Sequence, residues 1–251
     1  MTEMEIRIAK DRYELGKSAA KESAEIIKKC IEEKGSARIA LSTGASQFDT
    51  LDALTKIEGI DWTKVEMFHL DEYVNLPETH GASFRKYLKE RFVEKVGPLK
   101  AVHFVDGTPE GIPHLTEEIR KAPIDLGLIG IGENGHIAFN DPPADFDTKE
   151  AYIVVELNER CKAQQMGEGW FATIDDVPKQ AVSMTAYQIM LCKKIISCVP
   201  YKVKSEAVAK TLAAKEVSNM VPATLLKTHP DFLLYIDSES ASEITEINFI
   251  D

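Results

Sequence analysis

Short apolar runs alternate with longer stretches of helical period along the whole chain, and this alternation constrains the fold more than any other feature. Arg38–Leu41, Val65–Leu70, Ala101–Val105, Ile124–Ile131, Tyr152–Leu157, Ala181–Met184, Ile195–Val199 and Phe232–Ile236 read as strands. Asp11 with Glu14 has the form of a capping box, opening a helix through Ala19, Ala20, Ile26, Ile27 and Cys30 that stops near Gly35. Further helices are expected through Leu51 and Leu54, over Ser83–Val96, around Thr116–Lys121, and over Ala186–Cys192 and Lys204–Ala214. Asn75–Gly81 and Asn158–Gly169 read as polar connections, and Asp176-Val177-Pro178 as a turn. Strands separated by helices pair in parallel and are covered on both sides. The expected fold is therefore α/β: one Rossmann-like domain over residues 1–251, an open parallel sheet with helices on both faces, closed by Phe232–Ile236.

Three strand ends carry polar residues. Leu128 to Pro142 starts as a strand, breaks at Gly130 and Gly132, then places Glu133, Asn134, His136, Asn140 and Asp141 within nine residues. A strand ending in a Gly-permitted turn delivers such side chains to the carboxyl edge of the sheet, where open α/β folds bind ligands. A carboxylate such as Asp141 beside His136 would fix the imidazole tautomer for proton shuttling. On the histidine alone, an ordinary strand-to-loop transition is the stronger reading. Ser42-Thr43-Gly44-Ala45-Ser46, between strand and helix, suits an anion through backbone N–H groups, hydroxyls and the helix dipole. It lacks the Walker lysine and the dinucleotide fingerprint, so a purely structural turn weighs equally. Asp71 and Glu72 are adjacent and point to opposite sides of an extended chain, so one can enter a crevice as a general base while the other faces a helix or solvent. Lys202 and Lys204 could counter a phosphate, although a solvated lysine pair is the plainer reading. In a parallel sheet all these strand ends face one edge, and that convergence argues for an enzyme.

Composition removes several alternatives. The formal net charge of −11 leaves no basic surplus for nucleic acid, and it requires any anionic substrate to find a local positive site. No apolar run reaches membrane-spanning length, and Met1 to Arg7 lacks a signal-peptide pattern, so no membrane partner and a cytoplasmic location are expected. Cys30, Cys161, Cys192 and Cys198 form no Cys-x-x-Cys pair, which fits a reducing compartment, with Cys30 and Cys198 expected in the core. His69, His80, His103, His114 and His229 show no ligand spacing, so no metal is expected.

Leu41-Ser-Thr-Gly-Ala-Ser46, His69-Leu-Asp-Glu-Tyr-Val-Asn-Leu-Pro77 and Gly132-Glu-Asn-Gly-His-Ile-Ala-Phe-Asn-Asp-Pro142 together resemble the glucosamine-6-phosphate deaminase family, also called glucosamine-6-phosphate isomerases. Asp176-Val-Pro178, Lys204-Ser-Glu-Ala207 and Ala223-Thr-Leu-Leu-Lys-Thr-His-Pro230 extend the resemblance over nearly the whole chain. It implies a cofactor-independent, hydrolase-type conversion of an aldose 2-amino sugar phosphate into a ketose phosphate and ammonia, in amino-sugar catabolism. By the same resemblance His136 assists ring opening, Asp71 moves the proton between C2 and C1, and Asp141 works with the histidine. Ser42, Thr43, Gly44, Ala45, Ser46 and Lys204 hold the phosphate.

The chain departs from the family's pattern in places. Enteric members carry aspartate at the position of Asn134 and glutamate at that of Asp141. The family's phosphate-binding arginine falls near Glu168, so either another residue, such as Lys162 or Lys202, takes its place or the substrate differs. The arginine and lysine of the family's allosteric site are not evident around Ala144–Tyr152, and the chain end at Asp251 looks short beside allosteric members, so no such allostery is expected. A homo-oligomer stays open. One competing expectation is a sugar-phosphate sensor or catalytically altered homologue. Another is a 6-phosphogluconolactonase, whose histidine loop usually continues Thr-Ala-Ser-Leu-Phe-Pro where this chain has Ile-Ala-Phe-Asn-Asp-Pro.

Overall fold

The apolar runs form strands in a computed structural model that describes residues 3–167 and 169–250. The strands are β1 (Glu3–Ala9), β2 (Ala37–Leu41), β3 (Val65–His69), β4 (Asp71–Tyr73), β5 (Ala101–His103), β6 (Leu126–Leu128), β7 (Tyr152–Glu156), β8 (Gln180–Met184), β9 (Lys194–Val199) and β10 (Asp231–Asp237). The helices are α1 (Arg12–Lys34), α2 (Phe48–Thr55), α3 (Phe84–Leu88), α4 (Glu94–Val96), α5 (Ile112–Arg120), α6 (Glu159–Gly167), α7 (Ala186–Met190) and α8 (Ser205–Ala213).

Seven strands make an all-parallel sheet in the order β1-β10-β9-β6-β2-β3-β5. Successive residues of one strand feed opposite faces. Ile39, Leu41, Ile196, Cys198, Leu233 and Tyr235 pack with Leu15, Ala19 and Ile27 of α1 and Leu51 of α2. Ala40, Ile195, Val199, Phe232, Leu234 and Ile236 pack on the other side with Leu115 of α5, Ile189 of α7 and Val208 of α8. This double burial is why the strands read as continuous apolar runs. The expected capping box is half formed: Asp11 accepts from the Tyr13 and Glu14 N–H groups, but Glu14 reaches back to the Lys10 N–H and not to that of Asp11. Gly35, at φ 78°, ends α1 in the left-handed conformation.

Several expectations are corrected. Tyr152–Leu157 and Ala181–Met184 do not join the main sheet. They form β7 and β8 of a second, antiparallel sheet ordered β4-β8-β7. Glu156 and the half-buried Ile153, Val154 and Val155 show that β7 is incompletely covered, which an antiparallel sheet permits and apolar content alone does not reveal. Phe232–Ile236 does not close the sheet, because β1 pairs outside it with Met4 opposite Phe232. Charged residues between Met4, Ile6 and Ile8 hide that edge strand. The polar Asn158–Gly169 stretch contains helix α6, and the Ser83–Val96 helix passes through a π turn over Lys89–Val93. Cys198 is in the core as expected, whereas Cys30 is only half-buried. No helix among the described residues is long and apolar enough to cross a membrane.

Candidate active site

Chain order reverses between β2 and β6. From β2 the sheet grows through β3 and β5, and from β6 it grows the opposite way through β9, β10 and β1. The loops leaving β2 and β6 therefore diverge, and a cavity of about 200 Å³ opens there. Ser42 ties the two sides, its N–H donating to Leu128 O and its hydroxyl accepting from the Gly130 N–H at 3.0 Å. Of the residues singled out in the sequence, Ser42, Thr43, Gly44, Ala45, Ser46, Asp71, His136 and Lys204 all line this cavity. Asn134 and Asp141 stand behind His136 instead.

That second tier is ordered by one unambiguous donor. The His136 backbone N–H reaches Asn134 Oδ1 at 3.0 Å, which fixes the amide so that Nδ2 donates to Asp141 Oδ1, also at 3.0 Å. His136 Nδ1 then faces only acceptors, Asn134 Oδ1 at 2.6 Å and Asp141 Oδ1 at 3.3 Å. Nδ1 must carry the proton, so the neutral ring keeps Nε2 as its free acceptor. Burial works to raise the Asp141 carboxyl, but the hydrogen bond and charge of His136, with Asn134 and Cys161, outweigh it and hold it at about 2. The ring lies against the backbone of Gly132, where a Cβ would sit 2.0 Å from His136 Cε1. Asn140, grouped with these polar residues in the sequence, is structural: its amide donates to Ile137 O and Met184 O and accepts from the Ala186 N–H.

Asp71 and Glu72 divide as an extended chain requires. Asp71 enters the cavity wall, where burial, and then the charge of Glu72, pushes its carboxyl up to about 8. Glu72 points away and caps α3, accepting from Ser83 Oγ at 2.8 Å, the Arg85 N–H at 2.9 Å and Arg85 Nε at 3.3 Å.

At the far end, Lys204 comes into the wall from the turn before α8, only 9% exposed, beside the Ser42–Ser46 loop. The expected substitutes do not join it. Lys162 pairs with Glu159, and Lys202 with Glu243 and Ser242, and neither lines the cavity. Lys162 is drawn off by a carboxylate on its own helical turn and Lys202 by one near the C-terminus, 41 residues on, a pairing that motif spacing could not show. Glu168 lies outside the described residues. Sequence reasoning missed Phe84, Phe139, Gln164, Gln165 and Tyr201, which also line the cavity. Gln165 was hidden by the unrecognised α6, where it accepts from Tyr73 Oη at 2.5 Å. Glu133, noted only as part of the polar loop, is a wall residue as well.

One cluster of metal-ligand type was also invisible to spacing. Glu66, His103 and Glu118, from β3, β5 and α5, bring ligand atoms within 4.8 Å of one another. Their atoms are engaged: Glu66 meets His103 Nε2 and Arg38 Nε, each at 2.9 Å, and Glu118 meets Lys121 at 2.5 Å. None of the three lines the cavity.

Comparisons with known proteins give the fold and the family. A family profile described as glucosamine-6-phosphate isomerases/6-phosphogluconolactonase matches residues 10–234. The glucosamine-6-phosphate deaminase of Shouchella clausii is 35% identical over 239 residues, covering 90% of this chain and 94% of its own. That of Thermoanaerobacter pseudethanolicus is 36% identical over 236 residues, covering 90% and 91%. A solved structure described as a monomeric glucosamine-6-phosphate deaminase superposes with a TM-score of 0.84 at 29% identity, over 95% of this chain and 99% of its own. A 6-phosphogluconolactonase of Thermotoga maritima shares the fold, with a TM-score of 0.77 at 17% identity over 94% of this chain and 100% of its own. These names speak for a deaminase and isomerase and give no support to the hydrolase label expected from the sequence, which is withdrawn. The strand-end cavity, its histidine loop and these matches place the chain in the glucosamine-6-phosphate isomerase/6-phosphogluconolactonase family.

Proposed function

We propose that the protein converts glucosamine 6-phosphate, or a close 2-amino hexose 6-phosphate, into fructose 6-phosphate and ammonia without a cofactor. The observation that carries this reading is one cavity walled by a carboxyl raised to about 8, an imidazole of fixed tautomer, and an anion loop with a lysine. His136 Nε2 takes the proton of the C1 hydroxyl and returns one to the ring oxygen, opening the pyranose. Asn134 and Asp141 hold the ring and stabilise the imidazolium that forms in passing. Asp71, once ionised, is a strong base in its buried site. It removes the C2 proton and delivers it to C1, moving the double bond so that C2 becomes an imine. Water adds to C2 and ammonia leaves, giving the ketose. Ser42, Thr43, Gly44, Ala45, Ser46 and Lys204 hold the 6-phosphate through N–H groups, hydroxyls and one positive charge. Lys204 also answers the overall charge of −11, which otherwise opposes an anionic substrate.

The test is a substrate panel: glucosamine 6-phosphate, galactosamine 6-phosphate, glucose 6-phosphate and 6-phosphogluconolactone, following ammonia and ketose phosphate together. Equal amounts of both products from a 2-amino sugar alone are expected. Lactone hydrolysis without ammonia would move the protein to the lactonase branch, and binding without turnover would make it a sensor.

A further inference from the structure

Tyr201 has a backbone conformation that its residue type disfavours. It lies at φ 82° and ψ 142°, outside the small left-handed well that Asn or Ala can tolerate. The turn from β9 into α8 needs this geometry, but glycine would supply it without strain. The conformation is held from several sides. The Tyr201 N–H donates to the buried Asp237 Oδ2 at 3.1 Å, and Tyr201 O accepts from the Lys204 N–H at 3.0 Å. What the strain retains is the side chain, which lines the cavity beside Lys204 and the Ser42–Ser46 loop.

The hydroxyl is set up as a donor. Arg12, at the start of α1, gives Nη1–H to Tyr201 Oη at 2.9 Å, while the hydroxyl's own proton has a long bond to Ala45 O, 3.4 Å. A hydroxyl that accepts from a guanidinium is polarised outward, and it loses little by exchanging a 3.4 Å carbonyl contact for an anion oxygen. Arg12 is kept in place by Tyr13 Oη at 2.6 Å and by Asp49, whose carboxylate is 3.7 Å from Arg12 Nε. The close approach of Gly16 to Asp49, where a Cβ would meet backbone and side chain at 2.8 Å, docks α1 on α2 and brings Arg12 to the loop.

We propose that Tyr201 is a phosphate-binding residue of this site, with Arg12 behind it as a positioning residue that adds positive charge through the hydroxyl. The inference rests on the sugar-phosphate reading above. It answers a need of that reading, because Lys204 alone balances half of a phosphate dianion and neither Lys162 nor Lys202 faces the cavity.

The test measures inorganic phosphate binding by calorimetry, and KM and kcat for glucosamine 6-phosphate, in the wild type and in Tyr201→Phe, Tyr201→Gly and Arg12→Gln. In Tyr201→Phe, phosphate affinity and KM are expected to worsen roughly tenfold with kcat within about twofold. Tyr201→Gly should show the same loss with a melting temperature no lower than wild type, because its backbone is relieved. Arg12→Gln alone should weaken phosphate binding in the same direction, and a further variant combining it with Tyr201→Phe should lose little more than Tyr201→Phe alone, since both changes remove one interaction. Wild-type phosphate affinity and KM in Tyr201→Phe, or a fall in kcat with KM unchanged, would overturn the proposal. A tenfold loss of phosphate binding in Tyr201→Phe, with no deamination by the wild type, would uphold the anion site and sink the deaminase reading.

Discussion

Asp71 and Asp141 are both carboxyls of the candidate site, and their surroundings push them in opposite directions. Asp71 is raised to about 8 by burial and then by Glu72. Its folded form therefore holds a proton that the unfolded chain gives up near pH 4. Folding is unpenalised below that point and loses about 1.4 kcal/mol for each pH unit up to pH 8. Asp71→Asn should thus melt higher than wild type, with the gap opening between pH 4 and 8, while kcat falls on the order of 10³-fold. Asp141, held at about 2, contributes stability that is present above pH 4 and lost as pH falls toward 2. Asp141→Asn should melt lower than wild type at pH 6 and converge with it near pH 2. Melting curves across pH separate the two. At this scale the sequence disclosed the residues whose position at a strand end is enough to place them: Ser42–Ser46, Asp71 and His136. It could not disclose Tyr201, because a positive φ at a non-glycine residue leaves no mark in composition or period.

Elements carry the next layer of the site. Helix α3 starts where it does because Glu72 gathers Ser83, Phe84 and Arg85 at its first turn. Glu72→Gln leaves Arg85 without its carboxylate in a buried setting, and it should lower unfolding free energy by about 2–4 kcal/mol in urea titrations. The turn after β6 is equally specific. Gly132→Ala puts a methyl into the His136 ring, so the ring must swing off Asn134. A fall in kcat of roughly 10²-fold with an intact near-ultraviolet circular dichroism spectrum is expected. Strands β2, β3, β6, β9 and β10 were legible because burial on both faces leaves short, mainly apolar runs. Helix α6 was not. Its sequence Glu-Arg-Cys-Lys-Ala-Gln-Gln-Met-Gly turns chiefly Cys161 and Gln165 inward, too few apolar residues to set a period.

For the whole molecule, the seven-stranded sheet is buried on both faces, whereas α6, which brings Gln164 and Gln165 to the cavity, buries chiefly Cys161 and Gln165. Amides of β2, β6 and β9 should exchange with solvent only through global unfolding, those of α6 far sooner, and glucosamine 6-phosphate should slow exchange in α6 selectively. Hydrogen exchange read by mass spectrometry checks this. The global pattern of alternation was enough for the fold class, yet it merged two sheets into one, since an apolar run does not say what covers its second face. What remained legible across both sheets was the convergence of strand ends at the reversal between β2 and β6, and the proposed chemistry depends on it. Glucosamine 6-phosphate carrying deuterium at C2 tests that chemistry most directly, with ammonia release and the label at C1 of the ketose phosphate followed in wild type and Asp71→Asn. The wild type should release ammonia and carry part of the label to C1, and Asp71→Asn should do neither. Ammonia released by Asp71→Asn at the wild-type rate, or none released by the wild type, would contradict the account.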